Sequence, residues 1–243
     1  MATPRALFID DGGVMNDNEI RGPQWQRLVG EFFVPLFGGD PDAWGEANRE
    51  VATALFDDYR RTMSGRVDAG FNEWLHGYRI AWTREMCERV GVPVPEVEEC
   101  AILARRATGF VTRRVRAALP GVVEAIRTLH SRGDRMFTAS GEVSDELDGY
   151  LTGMGVRDCF VGLYGPDVID TPKEGTAYYE GIFAHAGVRP VDAVVVDDNA
   201  LALSWAAAAG AQTVLVSRNG DTATPERLVI GGLRELPEAV PSR

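Results

Sequence analysis

The chain has 243 residues, 45% of them apolar, with a formal net charge of −11 and a pI of about 4.8. That length suits one large domain, or a core with a smaller domain inserted into it. The acidic balance argues against a nucleic-acid partner, which selects a basic face, and against binding to anionic membrane surfaces.

No apolar run approaches the roughly 18–20 residues of a membrane helix. Met-Ala-Thr-Pro-Arg leads directly into the first apolar run, without room for a signal peptide, so a cytoplasmic protein is expected. Cys87, Cys100 and Cys159 have no metal-like spacing and fit a reducing compartment. Lys and Arg total 25, and Lys173 is the single lysine, leaving 24 arginines. A lone ammonium in so arginine-rich a chain is either a place where a compact point charge matters or an accident of composition, and its neighbours decide between them.

The first element is a strand over about residues 5–10. Ala6-Leu7-Phe8-Ile9 runs into Asp10-Asp11-Gly12-Gly13, and an apolar run of that kind reads as a buried parallel strand. From Asn16 to about Arg116 the pattern turns helical. Trp25, Leu28, Val29, Phe32 and Phe33 recur at helical spacing, and Asp40-Pro41 opens a second stretch through Val51, Leu55 and Tyr59. Ser64-Gly65-Arg66-Val67-Asp68 breaks that stretch. A third carries Phe71, Trp74, Leu75, Tyr78 and Trp82, and a fourth runs from about Pro95 to Val115. The expectation is a helical bundle inserted over residues 16–116, its aromatics forming the bundle core.

After Leu119-Pro120-Gly121 the pattern becomes α/β. Val122, Val123, Ile126 and Leu129 form a helical stripe, and Met136 to Ala139 a short strand followed by Ser140-Gly141. A helix over about Val143–Met154 and a short strand near Phe160–Tyr164 follow. Thr171-Pro172-Lys173 precedes a helix through Tyr178, Ile182 and Phe183. Ala193 to Val196 is a buried strand ending in Asp197-Asp198-Asn199, and an Ala-rich helix leads to the strand Thr213–Val216. The tail from about Ser217 reads as loop with a short helix. Alternating strands and helices imply a parallel sheet with helices on both faces. The fold class is therefore α/β, a Rossmann-like parallel sheet core over residues 1–15 and 117–243 with an inserted helical domain.

In such a sheet the strand C-termini share one edge, where ligands bind. Four polar signals fall there: Asp10 with Asp11, Ser140, Lys173, and Asp197 with Asp198. Two acidic pairs at close range raise each other's pKa unless a cation joins them. Carboxylates with a backbone carbonyl suit Mg²⁺. With one ammonium and one hydroxyl added, such a site can hold a phosphate group.

The order of these motifs resembles the haloacid dehalogenase-like hydrolase superfamily over almost the whole chain. It is closest in pattern to the helical-cap, phosphatase-type branch with an Asp-x-Gly-Gly-Val first motif. The resemblance implies that Asp10 is the nucleophile, forming an aspartyl-phosphate. Ser140, rather than Thr138, and Gly141 would bind the phosphate. Lys173 would orient Asp10 and offset charge, and Asp10, the Gly12 carbonyl, Asp197 and Asp198 would hold Mg²⁺. The partner implied is a small phosphate ester, with no nucleic acid and no membrane. In the helical cap, Arg66, Asn72 and His76 are candidates for substrate contact.

Two positions depart from the family pattern. Gly12 stands where the phosphatases carry a second Asp as general acid, with Asp11 and Asp17 as possible replacements nearby, and Ala202 stands where many members have another acid. Losing general acid–base catalysis costs typically about 10²–10⁴-fold. The alternatives are a catalytically weakened phosphate-ester-binding protein and a metal-free 2-haloacid dehalogenase. Asp197-Asp198 argues against dehalogenation, which needs no acidic pair. The absence of any lysine in 16–116 argues against the phosphonate-cleaving members, which use a cap lysine.

Overall fold

The computed structural model describes residues 5–62, 70–217 and 228–240. The expected break at 64–68, with Arg66, lies outside them. The chain forms two compact units, one of residues 1–18 with 117–243, the other of residues 19–116. The first boundary falls after Asn18 because Asn16 forms bridges with Gly12 and Ala118, and the Asp17 amide donates to the Ala117 carbonyl at 2.8 Å.

The first unit is built on a six-stranded parallel sheet. Its strands are β1 (Ala6–Ile9), β2 (Arg135–Thr138), β3 (Phe160–Gly162), β4 (Ala193–Asp197), β5 (Gln212–Val216) and β6 (Leu228–Ile230), in the order β3-β2-β1-β4-β5-β6. That order is the dinucleotide-fold order, with the reversal of winding between β1 and β4. β1 is central, and Ile9 pairs with Thr138 on one side and Val196 on the other.

Residues alternate between faces, as strand geometry requires. Leu7, Ile9, Met136, Val194 and Val196 join Val122, Ile126 and Leu129 of the helix Val122–Ser131 in one apolar cluster. Ala6, Phe8, Phe137, Val195 and Leu215 join Tyr178, Ile182 and Phe183 of the helix Thr176–Ala186 in another. Phe8 stacks on Phe137 with ring centroids 4.9 Å apart and meets Phe183 edge-on. Helices therefore cover both faces, as the alternating sequence pattern implied. β6 is the element that was expected as loop. Three residues are too few to show a period of two, and their pairing with β5 is what makes them a strand.

The second unit holds four long helices: α1 (Asn18–Phe37), α2 (Pro41–Thr62), α3 (Phe71–Val90) and α4 (Val97–Thr112). Asp40 starts α2 by accepting the Asp42 amide at 2.8 Å, with Pro41 at the first helical position. Trp44 and Trp82 are buried here. Phe33 stacks on Trp44 at 4.7 Å, and the Trp82 indole donates to Asn48 at 3.0 Å. Gly30 and Gly45 allow α1 and α2 to touch, since a Cβ on either would lie 2.5 or 2.9 Å from the other helix's backbone carbonyls. Trp74 is half-buried instead, ringed by Tyr59, Phe71 and Tyr78. Cys87, Cys100 and Cys159 are all free thiols. Among the described residues, no helix is long and apolar enough to cross a membrane.

Candidate active site

The site lies where β1, β2 and β4 end together. Asp10 is the first residue past β1, and its amide donates to Val196 of β4 at 2.9 Å. Across the other edge of β1, the Ala139 amide donates to Ile9 at 3.0 Å, which brings Ser140 beside Asp10. Asp197 closes β4. Asp10 and Asp197 thus flank the reversal point of the sheet, where open α/β folds bind ligands.

The turn after β1 separates the two carboxylates that look alike in sequence. The Asp11 carbonyl accepts the amides of Val14, Met15 and Asn16, and its buried carboxylate accepts the Asn16 side-chain amide at 2.7 Å. Consecutive residues leaving a strand point to opposite sides. Asp11 is therefore committed to the turn, and the expectation that it replaces the missing acid is corrected. Gly12 follows in the turn, and Gly13 lies at φ +81°. A Cβ on Gly13 would fall 2.0 Å from Asp198 Oδ2, so Asp198 rests against a bare backbone.

Lys173 is the hub. Its Nζ donates to Asp10 Oδ1 at 2.9 Å and to Asp197 Oδ2 at 2.8 Å. Asp197 uses its other oxygen to accept the Asn199 amide at 2.8 Å, and Asn199 in turn caps the following helix, Ala200–Ala208, by accepting from Leu201 and Ala202. Burial opposes the Lys173 ammonium, but Asp10 and Asp197 outweigh it and hold its pKa well above the ordinary lysine value. Burial pushes the Asp10 carboxyl from 3.8 up to about 7; Lys173 opposes that shift, while Asp197 and Glu142 add to it. Tyr178 and Tyr179 wall the site, and burial raises both phenols, which stay neutral.

Ser140 is buried. Its amide donates to Tyr164 at 3.1 Å and its carbonyl accepts the Tyr178 hydroxyl at 3.0 Å. Its hydroxyl donates to Glu142, whose amide points back to the same oxygen at 3.3 Å. Thr138, the other hydroxyl considered, ties β2 to the end of β3: its Oγ1 accepts the Tyr164 amide at 2.7 Å. Gly141 is exposed in the turn between. Asn72 and His76 are one turn apart and exposed on α3 of the other unit.

One oxygen each from Asp10, Asp197 and Asp198 lies within 4.8 Å of the others. When ionised, these three carboxylates exceed the Lys173 ammonium by two negative charges. Hard oxygen donors with that deficit fit one divalent cation such as Mg²⁺. Sequence reasoning did not single out Glu142, because a glutamate in a turn looks like an ordinary solvated charge. Its one signal was its position two residues after Ser140, where a carboxylate can reach back to the hydroxyl.

The sequence profile of the family described as haloacid dehalogenase-like hydrolase matches residues 82–216, more than half of the chain. No curated protein sequence matches. Among solved structures, the fold is similar to 2-haloacid dehalogenase from Pseudomonas syringae pv. Tomato DC3000, with a TM-score of 0.66, 17% identity and 98% of each chain covered. L-2-haloacid dehalogenase from Xanthobacter autotrophicus, with chloropropionic acid covalently bound, matches with a TM-score of 0.60, 16% identity and 98% of each chain. The HAD-hydrolase YfnB from Bacillus subtilis, bound to magnesium, matches with a TM-score of 0.60, 15% identity and 98% of each chain. At these identities the structures share the fold, while the profile match carries the family. With its parallel sheet, and with Asp10, Ser140, Lys173 and Asp197 gathered at the strand ends, the chain belongs to the haloacid dehalogenase-like hydrolases.

Proposed function

We propose that the protein is a Mg²⁺-dependent phosphatase of a small phosphate ester. The observation that carries this reading is the convergence of three carboxylates: one oxygen each of Asp10, Asp197 and Asp198 lies within 4.8 Å of the others, beside the Lys173 ammonium. Bound Mg²⁺ would offset part of the charge of these carboxylates and of the phosphoryl group.

Asp10 Oδ1 is held by Lys173, and Oδ2 has no hydrogen bond among the described residues. Oδ2 is therefore the oxygen assigned to the attack on phosphorus in this reading. The ester P–O bond breaks as the Asp10 O–P bond forms, and the departing oxygen takes a proton to become an alcohol. Water then attacks phosphorus, gives up a proton, and displaces the Asp10 carboxylate with release of inorganic phosphate. Ser140 donates to a phosphoryl oxygen once its hydroxyl leaves Glu142. Lys173 fixes the attacking carboxylate and opposes the burial that raises its pKa.

A second reading, metal-free 2-haloacid dehalogenation, is favoured by the dehalogenase structures that share the fold. It is opposed by charge, since a 2-haloacid would bring its own carboxylate to a site already lined by three. The test is a panel of phosphate esters and 2-chloropropionate, assayed with Mg²⁺ and with chelator. Mg²⁺-dependent phosphate release, lost in Asp10→Asn, is the expected result. Halide release in chelator would favour dehalogenation. Tight phosphate-ester binding without turnover would mark a weakened binding protein.

A further inference from the structure

The site has a nucleophile and a charge clamp, yet position 12 carries no side chain to protonate a leaving group. We propose that Glu142, which holds the Ser140 hydroxyl, supplies the acid–base function of this site. The inference rests on the phosphatase reading and extends it.

Three carboxylates near the nucleophile already have other tasks. Asp11 is buried and spent on Asn16. Asp197 has one oxygen on Lys173 and the other on the Asn199 amide. Asp198 sits against Gly13 as part of the carboxylate cluster. Glu142 is different in three ways. It is half-exposed and so can exchange protons with solvent. It is near enough to Asp10 to raise that carboxyl's pKa. Its carboxylate oxygen is bonded to the Ser140 hydroxyl that a phosphoryl oxygen must engage. A bound phosphate therefore has to take Ser140 from Glu142. The displaced carboxylate, one hydroxyl away from the phosphoryl group and open to solvent, takes a proton from water and becomes the acid that the ester oxygen needs.

In the first half-reaction the Glu142 carboxyl gives its proton to the departing ester oxygen as the P–O bond breaks. In the second, the Glu142 carboxylate takes a proton from the water that attacks the aspartyl-phosphate. The residue ends as it began, and Asp10 leaves as a carboxylate. A glutamate that only positions Ser140 would do neither, and the glutamine variant separates the two roles, because its side-chain carbonyl still accepts the Ser140 hydroxyl.

The experiment compares Glu142→Gln, Glu142→Asp and wild type, with Mg²⁺, on an alkyl ester (glycerol 3-phosphate) and an aryl ester (p-nitrophenyl phosphate). Affinity for inorganic phosphate is measured by calorimetry. Alkyl esters need the proton most, so in Glu142→Gln the alkyl kcat is expected to fall roughly 10²-fold or more. The alkyl-to-aryl ratio should fall at least about tenfold, while phosphate affinity stays within about threefold. Glu142→Asp should retain more alkyl turnover than Glu142→Gln. An equal loss on both esters, no loss, or the reverse order of the two variants overturns the Glu142 assignment while leaving an active wild type. A wild type that releases no phosphate from either ester overturns the phosphatase reading itself, and the Glu142 assignment with it.

Discussion

Replacing Lys173 with Met removes the ammonium that Asp10 and Asp197 share at 2.9 and 2.8 Å. Both partners are buried, so the loss is that of a broken buried ion pair, about 3–5 kcal/mol. Asp10 makes that loss depend on pH. Its carboxyl sits near 7 in the folded protein against an ordinary 3.8, so the folded state holds a proton that the unfolded state has released between those values. Stability falls as pH rises through that window and levels off above about 7. The Lys173 ammonium holds the Asp10 carboxyl down, and without it the carboxyl moves further up, each tenfold weakening of the acid being worth about 1.4 kcal/mol. Urea unfolding in chelator should therefore show a larger loss for Lys173→Met at pH 8 than at pH 6, because at pH 6 Asp10 is mostly protonated in both proteins. Adding Mg²⁺ should recover part of the loss, since a cation then balances the carboxylates. A loss under about 1 kcal/mol, or the same loss at both pH values, would refute the placement of Lys173 as the counter-charge of this site.

Other expectations follow from single contacts. Mg²⁺ should raise the melting temperature more at pH 8 than at pH 6, because binding must displace the Asp10 proton, and Asp198→Ala should weaken that shift; differential scanning fluorimetry reads both. Gly13→Ala places a Cβ onto Asp198 at a positive φ, so Mg²⁺ titration should show weaker binding together with a destabilisation of about 1 kcal/mol or more. Asn16→Ala removes a hydrogen bond from the buried Asp11 and should cost roughly 1–3 kcal/mol in urea unfolding, with phosphate release per folded molecule much less affected than in Asp10→Asn. Gly12→Asp adds a carboxyl next to the nucleophile and should raise alkyl-ester turnover, including in a Glu142→Gln background; a drop on every ester would mean that the turn needs glycine there.

The sheet was legible because its inner strands are apolar on both faces and end in polar residues. Asp10, Ser140, Lys173 and Asp197 could be placed on one edge because they fall at the ends of parallel strands or in the loops after them. Lys173 stood out because no other lysine competes with it. What the sequence concealed depends on side-chain direction. Asp10 and Asp11 are the same residue type in adjacent positions, and only the turn geometry commits one to the site and the other to Asn16. Glu142 was invisible for the related reason that its partner, Ser140, lies only two residues away in a turn, where no periodicity marks the contact. β6 was missed because its three residues gain strand character only by pairing with β5.

The central claim is that water attacks phosphorus and not the carboxyl carbon of Asp10. A single turnover of a phosphate ester in ¹⁸O-labelled water, with enzyme in excess and Mg²⁺ present, tests it directly. The label should appear in inorganic phosphate and be absent from the Asp10 peptide in mass spectrometry. Label in the Asp10 carboxylate would mean that water attacks carbon in an ester intermediate, and would contradict the phosphatase account.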